Sequence, residues 1–251
     1  MKKIIPKITI VTPVLNGEKH IEETILSVIT QDYKNIEYII VDGDSTDNTI
    51  NIIKKYKKHI KICISKKDNG MYDALLNGFK LGSGKYFSWI NSDDYYFKGA
   101  IKKAINFMEN NNLQWIVGRS SVLNHNNKIG VNLYHYPNFI IKNKLAAPCT
   151  WGYIPQESTI FTKKLYIKSS GIDKKFKFAG DFDLWVKFSK YSNLISANIN
   201  IGVFRKRIGQ LSLQQNTYLD EINKINCLFP FGKILRYIYS KIINLKKIHE
   251  I

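Results

Sequence analysis

The chain has 251 residues, 44% of them apolar, which suits one large domain or a domain with an extension around a sizeable core. Its formal net charge is +18, from 38 Lys and Arg against 20 Asp and Glu, and only Arg119, Arg205, Arg207 and Arg236 are arginine. Part of that excess belongs to a composition rich in lysine, isoleucine and asparagine; the rest suits an anionic partner such as nucleotide phosphates, a membrane surface or nucleic acid. Cys63, Cys149 and Cys227 are widely spaced and form no Cys-x-x-Cys, which argues against a disulfide framework and a zinc site and makes a reducing cytosol the simplest compartment. Pro6 and Lys7 break the apolar start, so no signal peptide is expected. No run reaches the ~18 apolar residues of a membrane span.

Ile8 to Leu15 is β-branched and apolar, a central strand whose ladder Pro13 should end. Asn16-Gly17 turns into a helix with Ile21, Ile25, Val28 and Ile29 on one face. Ile36 to Val41 is a second buried strand, stopping at Asp42. A helix follows from about Thr46 to Lys57, with Ile50, Ile53 and Tyr56 inward and Asp44 or Ser45 as its cap. Lys61 to Ser65 is a short strand, Asp68-Asn69-Gly70 a turn, and Met71 to Lys80 a helix.

Tyr86 to Ile90 reads as a fourth strand. It ends in Asn91-Ser92-Asp93-Asp94. Alternating strands and helices imply a mainly parallel sheet with right-handed crossovers. Asn16, Asp42 and the Asp93-Asp94 pair then fall along one edge, at strand carboxyl ends, where ligands of open α/β sheets bind. Adjacent carboxylates repel unless something positive sits on them, and a hard divalent cation with a phosphorylated ligand would satisfy them.

Ala100 to Met108 is a helix. Gln114 to Leu123 and Lys128 to Tyr134 are strands around an Asn126-Asn127 turn. Leu145 to Gln156 has no period and reads as a long functional loop. Ser158 to Thr162 is a strand, Lys163 to Ser169 a short helix, and Gly171 to Ala179 a loop. Asp181 to Tyr191 is a helix with Leu184, Trp185 and Phe188 inward and Asp181 at its cap. Leu194 to Ile199 and Val203 to Arg205 are candidate edge strands. From Tyr218 the pattern is helical to the end, with Phe231, Ile234, Leu235, Ile238, Ile242 and Leu245 on one face.

Seven segments, in order, resemble family 2 glycosyltransferases. They are Thr12 to Asn16, Val41 to Thr49, Asp68 to Gly78, Asn91 to Asp94, Pro155 to Thr159, Gly180 to Trp185, and Phe204 to Ser212. The resemblance spans roughly Ile8 to Ser212. It implies a GT-A fold over residues 1–212, a mainly parallel α/β sheet flanked by helices, with residues 213–251 as a C-terminal helical extension. It also implies a nucleotide-sugar donor, with UDP favoured, a Mn²⁺ or Mg²⁺ ion and inversion at the anomeric carbon.

The resemblance carries roles with it. Pro13, Asn16, Asp42, Asp68 and Asp93 would bind the donor, with Asp42 on the nucleobase and Asp93 on the ribose. Asp94, with Asp93, would ligate the metal; Asn91 stands where the family usually has a third acid, so the ligand set is less defined. Arg205 and Arg207 would fold over the diphosphate, although relatives often have His at the second position. Asp181 aligns with the base that takes the acceptor proton. Asp183 is the runner-up, and Trp151 and Gln156 are candidate acceptor contacts. Each has a plainer reading beside it: a turn or cap for Asp42, Asp68 and Asp181, a solvated edge for the arginines, a buried Trp. The five histidines have no metal spacing and are assigned nothing.

The expected acceptor is a hydroxyl of a lipid-linked or other cell-surface glycan. The expected location is the cytoplasm, including the inner membrane face. Residues 204–251 hold nine Lys or Arg against three acids, so the last helix suits either an anionic membrane surface or a protein contact. Gly-x-Gly-x-x-Gly is missing after the first strand, which argues against a dinucleotide enzyme. A nucleic-acid binder would explain the charge but not acids at three strand ends, so no nucleic acid is expected. A sugar-nucleotide binder without turnover remains an alternative.

Overall fold

Four β-branched or aromatic runs build the first half of the sheet. The structure is a computed structural model that describes residues 5–124, 126, 129–147, 152–207, 210 and 215–225. Strands β1 (Ile8–Val14), β2 (Ile36–Asp42), β3 (Ile62–Ser65) and β4 (Tyr86–Trp89) lie in the order β3-β2-β1-β4, all parallel. Helices α1 (Ile21–Ile29), α2 (Thr49–Lys55) and α3 (Met71–Leu81) make the crossovers. Parallel strands covered on both faces need apolar residues in both registers. Ile8, Ile10, Tyr38, Ile40 and Tyr86 therefore join the core under α1 and α4 (Ala100–Asn110), while Val11, Ile39, Val41, Phe87 and Trp89 join the core under α3.

The second half is mixed. It contains β5 (Tyr95–Tyr96), β6 (Trp115–Leu123), β7 (Ile129–Asn132), α5 (Asn138–Lys142), β8 (Thr159–Thr162) and α6 (Lys163–Lys168). Then follow α7 (Gly180–Ser189), β9 (Ile195–Asn200), β10 (Gly202–Arg205) and α8 (Gln215–Lys224). The sheet continues β4-β8-β6-β10-β5, with β8 antiparallel to both neighbours. Long β6 also pairs β7 and β9.

An aromatic layer seats α7 on the sheet. Trp185 stacks on Trp89 of β4 at 5.5 Å and 13°, and on Trp115 of β6 at 5.6 Å. Leu184, Trp185 and Phe188 are buried, each worth about 1.5–3 kcal/mol of transfer free energy. That docking fixes where the first turn of α7, with Asp181, meets the strand ends.

Several local expectations change. Pro13 does not end the ladder: β1 pairs β2 through Val14↔Asp42, while its pairing with β4 stops at Val11↔Trp89. Alternation points the proline nitrogen toward β4, past the last partner there, so the missing N–H costs nothing. Helix α2 starts at Thr49 because residues 44–48 are held as a loop by Asn16, Glu18 and Asp47. Ala179, not Asp181, is the N-cap of α7. β10 is interior, between β6 and β5. Strand β5 and helix α5 are too short to show a period. The apolar stripe from Phe231 to Leu245 lies outside the described residues. Among the described residues no helix is long and apolar enough to cross a membrane.

Candidate active site

The carboxyl ends of β1, β2 and β4 meet along one edge, as the crossovers require. Asn16, in the left-handed region at φ 50°, closes the β1 turn. Its side-chain carbonyl accepts from Thr46 N at 2.9 Å, and its N–H donates to Ser45 Oγ at 2.8 Å. Asn tolerates that conformation better than most residues. Asp42 is fully buried and accepts from Asp44 N, Ser45 N and Ser65 Oγ at 3.2, 3.1 and 2.7 Å, and from Ser45 Oγ. It holds the loop after β2 and ties it to the end of β3. Asp68 lies against Gly43, and burial, then the charges of Asp73 and Asp42, pushes its carboxyl up.

The acid pair after β4 forms the second group. Asp94 is 1% exposed. Its Oδ1 accepts from Arg205 N at 2.9 Å, and its Oδ2 meets Gln156 Nε2 at 3.4 Å. Burial, then the charges of Asp93 and Glu157, pushes its carboxyl well above the usual range. Asp93 pairs with Arg207 through Nε, and its carbonyl accepts from Arg205 Nε at 2.9 Å. The Arg205 guanidinium also binds Glu23 and lies 5.4 Å from the Tyr95 ring centre. Both arginines thus close over the acid pair, brought there by the β10–β6 and β10–β5 pairings. His20 faces the same cluster, its basicity lowered by burial and by Arg205.

Asp181 forms the third group. Its carboxylate accepts from Phe182 N at 2.8 Å and Tyr72 Oη at 3.1 Å, and Tyr218 reaches it from α8. The residue keeps an exposed edge, but burial of the carboxylate raises its pKa to about 6. Glu157, 3% exposed on the turn before β8, bridges the second and third groups. Burial, then the charge of Asp181, pushes it to about 7, and its own charge acts on Asp94.

The family model for glycosyl transferase family 2 matches residues 9–168. The chain belongs to that family. An uncharacterized glycosyltransferase of Rickettsia prowazekii (strain Madrid E) is 33% identical over 194 residues, 75% of this chain and 60% of that protein. The chain thus spans about 60% of the length of that relative. The Escherichia coli UDP-Glc:alpha-D-GlcNAc-diphosphoundecaprenol beta-1,3-glucosyltransferase WfgD is 26% identical over 246 residues, 96% of this chain and 94% of that protein. S. aureus TarS 1–349 in complex with UDP-GlcNAc superposes with TM-score 0.70 at 19% identity, over 89% of this chain and 68% of that one. A Pyrobaculum calidifontis mannosyltransferase in complex with GDP-Man and Mn²⁺ gives TM-score 0.65 at 15% identity, over 95% and 70%. The fold is the GT-A α/β fold of these enzymes.

Within this family 2 transferase the residues suit a hard cation. The buried Asn91 Oδ1 and Gln156 Oε1 have no hydrogen-bond partner, and Asp94 Oδ2 has one long contact. Carboxylate and amide oxygens are the donor chemistry of Mg²⁺ and Mn²⁺. Among the described residues no three His, Cys, Asp or Glu side chains form a cage.

Not every expected residue joins the edge. Asp183 turns away into a 2.7 Å ion pair with Lys187, whose amine also donates to Gly171 O. Two helix positions along from Asp181, it faces elsewhere. Trp151 lies outside the described residues. Glu157, His20, Tyr72 and Tyr218 were not singled out from the sequence as site residues. Glu157 and Tyr72 lie inside motif segments and could have been; His20 and Tyr218 carry no local signal.

Proposed function

We propose that this chain is an inverting glycosyltransferase that moves a sugar from a nucleotide-sugar donor, UDP-linked by preference, to a hydroxyl of a lipid-linked glycan precursor. The observation that carries this reading is the acid pair after β4, on the same sheet edge as Asn16 and Asp42, with Arg205 N on Asp94 Oδ1 at 2.9 Å and Gln156 Nε2 3.4 Å from its Oδ2. The donor and acceptor classes are supported by what WfgD and the TarS complex bind or act on. A bound divalent ion, Mn²⁺ or Mg²⁺, supplies charge neutralisation at the leaving diphosphate. Asp94 and Asp93 would hold it, with Asn91 and Gln156 offering neutral oxygens.

The chain's own residues do the rest. The Asn16–Ser45 turn, with Pro13 before it and Asp42 and Asp68 beside it, walls the nucleoside end. Arg205 and Arg207 leave their acidic partners as diphosphate oxygens arrive, since guanidinium binds either anion. Asp181 takes the proton of the acceptor hydroxyl as that oxygen attacks the anomeric carbon from the face opposite the diphosphate. One displacement inverts the centre and needs no enzyme nucleophile. Gln156 borders the acceptor side.

A base of pKa about 6 is ionised at neutral pH, so turnover should fall as pH drops below about 6. A thermal-shift panel of UDP-, GDP-, TDP- and CMP-sugars with Mn²⁺ or EDTA tests the donor site. One base should raise the melting temperature and EDTA should remove the shift; equal shifts with EDTA would refute the metal-bridged donor. Asp181→Asn should keep that shift and lose transfer to lipid-linked acceptor. Full transfer by Asp181→Asn would refute its role as base.

A further inference from the structure

The carboxylate proposed as base is held from an element outside the sheet. Tyr72 Oη lies 3.1 Å from Asp181 Oδ1 but also 3.0 Å from Phe178 O. A phenol has one proton to donate, so Tyr72 divides it between two acceptors. Tyr218, on α8 between Tyr153 and the start of α7, brings a second phenol into the field of Asp181. The helix that carries it is firmly seated. Glu221 accepts from the backbone N–H groups of Lys177, Phe178 and Ala179 at 2.9, 2.9 and 2.9 Å, the three residues that lead into α7. Ile222 is buried with Ala147, Ala179, Phe182 and Val186. The Tyr218 ring meets Tyr153 edge-on at 5.3 Å.

We propose that α8 is part of the active site, with Tyr218 a positioning residue that holds the Asp181 carboxylate together with Tyr72, and Glu221 the lock on the loop that starts α7. This rests on Asp181 as the base. The titratable groups around Asp181 are Tyr72 from α3, Tyr218 and Glu221 from α8, Glu157 from the turn before β8, and Tyr153 behind Tyr218. A phenol that donates to the ionised carboxylate favours it, against burial. Loss of one leaves a carboxylate that protonates at higher pH and swings more freely.

Tyr218→Phe keeps the ring against Tyr153 and removes only the hydroxyl. It should lower kcat roughly tenfold at unchanged donor KM and move the acid limb of the kcat–pH profile to higher pH. In an Asp181→Asn background the same change should do nothing further, because the two act as one unit. Unchanged kcat and an unmoved acid limb in Tyr218→Phe, with Asp181→Asn inactive, would overturn the positioning role and leave the base in place. An active Asp181→Asn would instead overturn the base, and this proposal with it. If Tyr218→Phe does not fold, Glu221→Gln takes its place. It acts on Asp181 only through residues 177–179; reduced kcat at constant donor KM and a moved acid limb support the proposal, and parental values of both overturn it.

Discussion

Glu157 is a carboxylate the fold stabilises poorly as an anion. Burial, with Asp181 beside it, raises its pKa from 4.5 to about 7. Between those two values the folded chain binds more protons than the unfolded one, so stability contributed at this site falls as pH rises, and the loss is complete above about pH 7. Glu157→Gln should therefore melt higher than the parent at pH 8, with the difference gone by pH 4; thermal melts across that range check it. A gain of stability with a loss of transfer would mark the acid as retained for function. The arginines make the opposite case. Arg207 is substantially exposed and pairs with Asp93 at the rim, so the pair contributes at most about 1 kcal/mol. Arg207→Ala should leave the melting temperature nearly unchanged and raise KM for the donor, a split that steady-state kinetics and a melt together resolve.

The first turn of α7 is where an element rather than a residue decides the chemistry. Gly180 precedes Asp181, and a Cβ there would meet the Tyr72 ring at 2.8 Å. Those ring atoms are buried and cannot step aside cheaply. Gly180→Ala should cost about 1–3 kcal/mol of stability and lower kcat by separating α3 from α7; denaturant melts and turnover measure both. The helix itself was legible in the sequence, because Leu184, Trp185 and Phe188 repeat at helical spacing. Its start was not: the cap is set by the docking of Ala179 under α8. The same holds for α2, shortened by side chains of the neighbouring β1 turn, and for β10, read as an edge. Pairing on both sides of β10 depends on β5, a two-residue strand with no signature of its own.

At the scale of the molecule, the charge of +18 is the property least absorbed by the site. If the acceptor is lipid-linked, excess lysine should hold the chain at an anionic surface. Co-sedimentation with vesicles containing anionic lipid should be strong at low salt and weaken as ionic strength rises past the physiological range; binding to neutral vesicles of equal strength would oppose an electrostatic role. Sequence alone determined the parallel half of the sheet, the family, and the alignment of Asn16, Asp42 and Asp93-Asp94 on one edge. Strand periodicity and the handedness of crossovers are local and near-universal rules, so those features follow from neighbours in the chain. Tertiary structure alone decided that Glu157 lies in the field of both Asp94 and Asp181, that Arg205 and Arg207 close over the acid pair, and that Tyr218 comes near Asp181. The arginine contacts with the pair join residues up to 114 positions apart. Burial and field at such points depend on what the whole fold packs around them, and no pattern along the chain encodes that.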